Sequence, residues 1–244
     1  MKALILAGGR GKRIDPLTDG GNKCLIEING KRLIEHNLDM FVNIPEISEI
    51  VMVVGHRAED LINRFGIEYK GKKIKYVIQP EQRGVVNAME VAREALEGQD
   101  FVLGMGDQVI TGPKIHEMIK DFNEKKLFSS CGVIKEEDHS KIGRTYSLMC
   151  DPEWKIHRLV EKPKNPTGNL QGTGFCVFSF DLFNYLDRTP TNPIRGEKEM
   201  VDLIQAAIDD NKHVRAFFVA DKYTNINTET DLLYARSIMK EAFS

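Results

Sequence analysis

Short apolar runs alternate with helix-period segments through the first half of the chain. The apolar runs, which are typical of strands, lie at residues 2–7, 50–55, 74–79 and 101–105. Between them, apolar residues recur every three or four positions at 33–42, 58–65 and 85–96. This alternation predicts a parallel sheet with crossover helices, and ligands bind such sheets at the carboxyl ends of the strands.

The pattern changes after about residue 128. Four successive strands with few helices between them are predicted at 129–135, 145–150, 155–161 and 173–180, and helical spacing returns at 196–210 and 228–242. The predicted fold class is therefore α/β, with a Rossmann-like, mixed but mainly parallel sheet flanked by helices and extended by an antiparallel flap. A chain of 244 residues is short enough to form a single domain, 1–244.

The composition narrows the classes of function. Hydrophobic residues make up 41% of the chain and charged residues 29%, and the net charge is -2. No basic excess is available to hold a nucleic-acid backbone, so we expect no nucleic-acid partner. The four cysteines have no C-x-x-C pairing that would indicate zinc or a redox dithiol. The apolar run after Met1 is too short for a signal peptide or a membrane span, which predicts a cytoplasmic protein without a membrane partner.

A glycine-rich loop follows the first predicted strand, with the sequence Leu6-Ala7-Gly8-Gly9-Arg10-Gly11-Lys12-Arg13. Its glycines let backbone N–H groups approach phosphate oxygens, while Lys12 and Arg13 add positive charge. It is not a Walker loop, because Gly11-Lys12 is followed by Arg13 and not by Ser or Thr. It is also a poor dinucleotide fingerprint, because Ile14 stands where the third glycine belongs. We therefore expect the loop to bind a triphosphate; a tight turn without a ligand is the alternative.

A single carboxylate ends another apolar strand, in Gly104-Met105-Gly106-Asp107. At the carboxyl edge of a sheet, such a group can hold a hard cation together with phosphate oxygens. Asp107 is therefore the predicted ligand of Mg²⁺, although aspartate at a strand end is also common as a turn residue or helix cap.

These segments together resemble a known family. Leu6-Ala7-Gly8-Gly9-x-Gly11-x-Arg13-x-x-Pro16-Leu17-Thr18, followed by Asn22-Lys23-Cys24-Leu25, is similar to the signature of the sugar-phosphate nucleotidylyltransferases, or sugar-nucleotide pyrophosphorylases. The resemblance implies that Arg13 and Lys23 bind the triphosphate and support the transition state. Asn22 replaces the proline that usually precedes this lysine.

Further motifs follow in the order of that family. Gln79-Pro80-Glu81-Gln82-Arg83-Gly84 resembles the segment that reads the base edge, which implies this role for Gln79 and Gly84. Three later segments resemble the sugar-binding half: Ile142-Gly143-Arg144, Val160-Glu161-Lys162-Pro163 and Gly172-Thr173-Gly174-Phe175. By resemblance, Lys162 binds the acceptor phosphate, and Glu161, Gly143 and Thr173 face its hydroxyls. The domain then divides into a nucleotide-binding half, 1–127, and an acceptor-phosphate-binding half, 128–244.

The chief departure from the family lies near the end of the chain. Many family members have Trp-x-Asp-x-Gly-Thr where this sequence has Tyr223-x-Asn225-x-Asn227-Thr228, so the second acidic metal ligand is missing. An amide oxygen can also coordinate Mg²⁺. Resemblance to the N-acetylglucosamine 1-phosphate uridylyltransferase branch favours Asn227 over Asn225 as the second ligand.

The resemblance implies an Mg²⁺-dependent enzyme that joins a nucleoside triphosphate to a small phosphorylated acceptor, a sugar 1-phosphate, and releases pyrophosphate. Gln79 and Gly84 suit a pyrimidine base, and UTP, CTP and dTTP are all compatible with them. Two alternatives stay open: a cytidylyltransferase for an alcohol or amino-acid phosphate, and a non-catalytic nucleotide-sugar sensor. A quaternary ammonium acceptor would need an aromatic cage, for which the nearby aromatic residues are Tyr146, Trp154 and Phe175.

Overall fold

A mixed eight-stranded sheet forms the centre of the computed structural model, which describes residues 1–14, 18 and 20–242, without the side chain of Lys12. The strands are β1 (Lys2–Ala7), β2 (Glu27–Ile28), β3 (Lys31–Arg32), β4 (Ile50–Val54), β5 (Glu68–Tyr69), β6 (Lys72–Ile78), β7 (Phe101–Met105), β8 (Gln108–Thr111), β9 (Ser129–Lys135), β10 (Tyr146–Cys150), β11 (Ile156–Glu161), β12 (Leu170–Phe178), β13 (Val214–Phe218) and β14 (Lys222–Asn225). The α-helices are α1 (Leu33–Val42), α2 (Ala58–Phe65), α3 (Gly84–Val91), α4 (Arg93–Leu96), α5 (Ile115–Glu124), α6 (His139–Ile142), α7 (Met200–Asp209) and α8 (Glu229–Glu241). Three 3₁₀ segments, Lys12–Ile14, Lys23–Leu25 and Phe180–Arg188, complete the described elements.

The strand order of the main sheet is β13-β9-β12-β7-β1-β4-β6-β5. β1 is parallel to both β4 and β7, and β4 is parallel to β6. These four strands therefore end at the same edge of the sheet, as the alternation of strands and helices predicted. β12 runs antiparallel between β7 and β9, which makes the sheet mixed.

Apolar clusters cover both faces of the parallel strands. One face carries Leu4, Val53 and Leu103 in a cluster with residues of α3 and α7. The other carries Ile5 and Met52 in a cluster with residues of α1, α2 and α5. Burial on both faces explains why these strands read as continuous apolar runs.

The second half of the chain extends the sheet and adds a ribbon. β9, β12 and β13 join the main sheet, whereas β10 and β11 pair with each other as a separate antiparallel ribbon. The predicted fold class, including the antiparallel flap, is confirmed. In β12 the register shifts between Gly172 and Cys176, so the strand is irregular at this point.

Some predicted elements differ from the structure. The helix expected over 196–210 begins only at Met200, because Gly196 has a φ of +70° and the side chain of Asn192 accepts hydrogen bonds from the backbone of Ile194 and Arg195. The helix expected over 85–96 is two helices, α3 and α4, which meet at Ala92. β8, β13 and β14 lie in segments for which no strand was predicted. Among the described residues, no helix has the length and apolar character needed to cross a membrane.

Candidate active site

The carboxyl ends of the parallel strands bring the predicted nucleotide-binding motifs together. Leu6 and Ala7 end β1, and Gly8 follows; its carbonyl accepts a hydrogen bond from the backbone N–H of His56, just after β4. The N–H of Gly106, after β7, donates to Leu6 O at 2.9 Å. The glycine loop therefore lies against two neighbouring strand ends.

Neighbouring side chains lie so close to the loop backbone at two positions that a β-carbon there would crowd them. A β-carbon at Gly8 would lie 3.0 Å from Oε1 of Gln79. Gly11 has a φ of +67°, and a β-carbon there would lie 3.1 Å from Cβ of Lys23. Among the described residues, no atom lies within 4 Å of a β-carbon built on Gly9, so backbone is open at this position. The side chain of Lys12, and Asp15, Pro16, Leu17 and Asp19, lie outside the described residues.

Lys23 and Asp107 form an ion pair at this edge. Nζ of Lys23 lies 2.5 Å from Oδ2 of Asp107, and the lysine side chain is only 8% exposed. The negative charge of Asp107 also adds to the effect of burial on Cys24, which raises the pKa of that thiol to about 12. Lys23 thus brings a desolvated positive charge to the place where we expect the triphosphate.

Asn22, the departure from the usual proline, holds the 3₁₀ turn that carries Lys23. Its Oδ1 accepts a hydrogen bond from the N–H of Cys24 at 2.9 Å, and its Nδ2 donates to His56 O at 3.0 Å. Its φ of -71° lies within the range that proline imposes. Two hydrogen bonds of an amide side chain therefore fix a backbone that a pyrrolidine ring would fix covalently.

The segment after β14 lies beside Asp107. The N–H of Ile226 donates to Asp107 O at 2.9 Å, which places Asn225 and Asn227 on either side of this contact. Oδ1 of Asn227 accepts a hydrogen bond from Nη2 of Arg13 at 3.0 Å. Oδ1 of Asn225 is buried and has no hydrogen-bond partner among the described residues.

A buried acceptor without a donor suits a cation. The described residues contain no cluster of three or more His, Cys, Asp or Glu side chains that could hold a metal ion. One carboxylate and one amide, together with phosphate oxygens, can still provide the oxygen ligands that Mg²⁺ binds. Asn227 as the second ligand stays a prediction; its oxygen accepts from Arg13, whereas the oxygen of Asn225 has no donor among the described residues.

Gln79 is held rigidly at the end of β6. Its side chain is buried, and Nε2 donates to Oδ1 of Asn87 at 2.9 Å and to Gly84 O at 3.4 Å. Gly84 begins α3 with a φ of +86°, and a β-carbon there would lie within 2.3 Å of the carboxylate of Glu197. The second half of the chain thus reaches Gly84 through Glu197.

An acidic cluster with two cations forms the predicted acceptor side. Oε1 of Glu161 lies 3.3 Å from Nζ of Lys162 and 3.7 Å from Nη1 of Arg195, whose other nitrogen lies 2.8 Å from Glu199. Burial raises the pKa of Glu161 above its usual value, although Lys162 and Arg195 oppose the shift. Burial, followed by the charge of Glu161, also raises the pKa of Glu199. Arg195 therefore links two partly desolvated carboxyl groups.

The hydroxyl of Thr173 is hydrogen-bonded within the chain. The side chain is buried, Oγ1 donates to Gly132 O at 3.0 Å and accepts from the N–H of Phe175 at 3.1 Å. The irregular part of β12 thus uses this hydroxyl internally, and the prediction that Thr173 faces acceptor hydroxyls stays a prediction. At Gly143, a β-carbon would lie 3.1 Å from Pro163 O, so this glycine lets the chain pass close to the segment after Lys162.

Tyr223 is a buried phenol that hydrogen-bonds to Gln108. Its hydroxyl accepts a hydrogen bond from Nε2 of Gln108 at 2.9 Å. Burial raises its pKa, and the charges of both Asp107 and Glu161 raise it further. One buried phenol is thus influenced by the charges of both the Asp107 pair and the Glu161 cluster.

Several residues that contact the predicted site residues or lie beside them were given no role from the sequence: Asn22, Asn87, Arg195, Glu197, Glu199 and Asp231. Glu197 and Glu199 lie in the segment that was expected to be helical, and Arg195 immediately precedes it. Asp231 follows Thr228 at capping-box spacing, which is a recognisable sequence signal. The spacing of Asn87 from Gln79 carried no such signal.

Comparison with known proteins places this chain in a family. A sequence profile described as Nucleotidyl transferase matches residues 2–237. The UTP–glucose-1-phosphate uridylyltransferase AglF of Haloferax volcanii is 30% identical over 88% of this chain and 87% of its own length. A glucose-1-phosphate thymidylyltransferase of Streptomyces griseus is 25% identical over 99% of the chain and 66% of its own length.

A solved structure has the same fold. A UDP-glucose pyrophosphorylase complexed with UDP-glucose aligns with a TM-score of 0.87 at 18% identity, covering 98% of each chain. The alignment extends over both the parallel strands and the ribbon, so the fold is shared as a whole. The sequence match covers the segments that carry the candidate site. The chain belongs to the nucleotidyl transferase family.

Proposed function

We propose that this protein transfers a nucleotidyl group from a pyrimidine nucleoside triphosphate to a sugar 1-phosphate, with release of pyrophosphate. The observation that carries the proposal is the presence of a cation-rich phosphate site, Lys23–Asp107 with Arg13, together with the Glu161 cluster, in which Lys162 and Arg195 flank a buried carboxylate. Relatives named as acting on glucose 1-phosphate with UTP, or as thymidylyltransferases, support it.

The reaction needs no nucleophile from the protein. An oxygen of the acceptor phosphate forms a bond to the α-phosphorus, and the bond from that phosphorus to the bridging oxygen breaks, so pyrophosphate leaves with the electron pair. The protein must align two anions and neutralise the charge that accumulates between them. Lys23 and Arg13 supply positive charge on the triphosphate side, and Lys162 supplies it on the acceptor side.

Mg²⁺ would be held by Asp107 and the amide oxygen of Asn225, and when bound it would offset the charge of the phosphates. In the same proposal, Asn227 orients Arg13 through its side-chain oxygen. Lys23 remains beside Asp107 and can contact a phosphate oxygen with its other N–H donors.

Base recognition uses Gln79 and Gly84. Because Asn87 and Gly84 O accept from Nε2 of Gln79, the amide is held in one orientation, with Oε1 facing the glycine loop. Gly84 is the first residue of α3, so its N–H has no acceptor within the helix and can donate to a base. One acceptor and one donor match the edge of a pyrimidine ring.

Sugar recognition uses Glu161, which Arg195 and Lys162 hold in place. A carboxylate of this kind accepts hydrogen bonds from hydroxyls, which a sugar provides and a simple alcohol phosphate lacks. The aromatic residues near the motifs do not form a cage for a quaternary ammonium group: Tyr146 and Phe175 are buried, and Trp154 packs edge-on against Phe218. These contacts favour a sugar phosphate over phosphocholine.

A pyrophosphate-release assay tests the proposal. The protein is incubated with Mg²⁺ and each of UTP, dTTP, CTP, GTP and ATP, paired with glucose 1-phosphate, N-acetylglucosamine 1-phosphate, mannose 1-phosphate, phosphocholine and an amino-acid phosphate. We expect turnover with a pyrimidine triphosphate and at least one sugar phosphate. Faster turnover of a non-sugar phosphate would establish the cytidylyltransferase alternative, and binding without turnover of any pair would establish a sensor.

A further inference from the structure

Asp231, in the first turn of α8, makes more contacts than a helix cap requires. Its Oδ2 accepts hydrogen bonds from the N–H groups of Asn227, at 3.0 Å, and Thr228, at 2.9 Å. Its N–H donates to Oγ1 of Thr228, which completes a capping box. The carboxylate is 13% exposed, and Nη1 of Arg144 lies 3.5 Å from its Oδ1.

The contact with Asn227 lies outside the capping box. In a capping box, the side chain at the third helical position returns to the N-cap backbone, here that of Thr228. The N–H of Asn227 precedes the N-cap, so its bond to Asp231 fixes the segment that enters the helix. The same segment is fixed from the other side by the bond from Ile226 N to Asp107 O.

That segment carries the partner of Arg13. Arg13 is exposed, and a free arginine side chain samples many rotamers. Its hydrogen bond to Oδ1 of Asn227 selects one of them, provided that Asn227 is itself held in place. A guanidinium that is oriented before the reaction stabilises developing charge better than one that must be ordered during it.

We propose that Asp231 is a positioning residue for catalysis, which acts on Arg13 through the backbone and side chain of Asn227. The ion pair between Oδ1 of Asp231 and Arg144 also connects this carboxylate with the segment that follows Gly143. The inference rests on the role of Arg13 in the proposed function. It assigns to a helix-capping carboxylate the task of holding the transition-state arginine.

Matched variants separate this role from helix capping. Thr228→Val removes the capping hydroxyl but leaves Asp231 able to bind the N–H of Asn227, whereas Asp231→Ala keeps that hydroxyl and removes the carboxylate that accepts from the N–H groups of Asn227 and Thr228. We expect both variants to melt at a lower temperature than the wild type. Only Asp231→Ala should also lower kcat, by about 10-fold, with the KM for the triphosphate nearly unchanged. An equal loss of kcat in both variants would show that Asp231 serves the helix alone.

A double-mutant cycle with Arg13 tests whether Asp231 acts on turnover through Arg13. If Asp231 acts through Arg13, Asp231→Ala should have less than a two-fold effect on kcat in an Arg13→Ala background. The same factor in both backgrounds would overturn the inference while leaving the role of Arg13 intact. If Arg13→Ala itself leaves kcat unchanged, the proposed role of Arg13 fails, and the inference fails with it.

Asn227→Ala provides an independent variant if Asp231→Ala does not fold. It leaves the capping box of α8 complete and removes only the acceptor of Arg13. We expect a loss of kcat similar to that of Asp231→Ala, and again no further loss in the Arg13→Ala background. Unchanged kcat in Asn227→Ala would contradict the proposed route.

Discussion

In residues 1–127, the candidate site follows the ends of parallel strands, and much of its geometry is backbone geometry. Gly8, Gly11 and Gly84 each occupy a place where a β-carbon would approach another side chain closely. In residues 128–244, by contrast, the site is a network of charged side chains, in which Arg195 joins Glu161 to Glu199. Phosphates can be recognised by backbone N–H groups and fixed cations, whereas a carboxylate that accepts from hydroxyls takes its orientation from neighbouring side chains.

The comparison predicts that single substitutions at the phosphate site, which includes the segment after β14 beside Asp107, reduce turnover, whereas those in the Glu161 cluster of the second region alter acceptor affinity. The largest effect should follow from Asp107→Ala. Loss of the only carboxylate proposed for Mg²⁺ should lower kcat by about 10³-fold or more. The loss of turnover is measured as pyrophosphate release. A cooperative thermal transition shows that the variant still folds, and Asp107→Asn is measured in the same two ways. Full activity in excess chelator would contradict the assignment.

Arg13→Ala should produce the next largest effect. Because the guanidinium is proposed to stabilise the negative charge that develops on the leaving pyrophosphate, kcat should fall by about 10²-fold. Steady-state kinetics with varied triphosphate separates kcat from KM. An increase in KM alone would mean that Arg13 only binds the nucleotide, and that the first region works mainly through affinity.

Glu161→Gln should act on the acceptor. Loss of a charged hydrogen-bond acceptor costs about 1.5–3 kcal/mol, so the KM for the sugar 1-phosphate should rise by about 10- to 100-fold. kcat should change much less. A similar variant on the same cluster, Glu199→Gln, is the control, since it keeps the carboxylate of Glu161. If kcat falls and KM does not change, the two regions are not distinct in the way proposed.

The same carboxyl group predicts a pH dependence. Burial raises the pKa of Glu161, while Lys162, Arg195 and Asp202 modify it. As pH rises through this raised pKa, Glu161 ionises and the KM for the acceptor should fall. Acceptor affinity therefore rises with pH, whereas stability should fall, because between the ordinary and the raised pKa the folded state keeps a proton that the unfolded chain has lost. Melting temperatures of the wild type and Glu161→Gln across this range test the sign.

Asn22 should give the smallest effect. Asn22→Ala removes both hydrogen bonds that hold the turn of Lys23, and we expect kcat to fall by a few-fold to about 10-fold. Asn22→Pro should recover most of the loss, because the φ of -71° already suits proline. If Asn22→Pro is no better than Asn22→Ala, the amide contributes something other than backbone restraint.

The sequence predicted the first region well because its positions follow from local rules. Strand ends, glycines and the cations near them are all visible in hydrophobic periodicity and short motifs. Arg13, Lys23, Gln79 and Asp107 accordingly lie where the parallel strands end or beside them. The opposing Tyr223-x-Asn225-x-Asn227 segment was also recognised, but the choice between its two amides depends on which one Arg13 contacts, and this contact spans 214 positions of the chain.

The second region was predicted less completely. Thr173 was chosen from its motif, yet its hydroxyl bonds within an irregular strand that periodicity could not reveal. Arg195 was overlooked because its partner Glu161 belongs to another element, 34 positions earlier in the sequence. Side-chain networks assembled from distant elements depend on packing, which a single sequence does not encode in any local pattern.

The ion pair between Lys23 and Asp107 has a consequence for how the protein can be produced and stored. Because Asp107 has its counter-charge within the chain, the fold does not require a divalent cation to neutralise it. Purification in chelator should therefore yield intact protein, with a melting temperature within about 2 °C of that in Mg²⁺, which is no more than the ~2–4 °C expected from 1 kcal/mol in a chain of this size. Metal dependence would then be a property of turnover alone, restored at once when Mg²⁺ and substrate are added together.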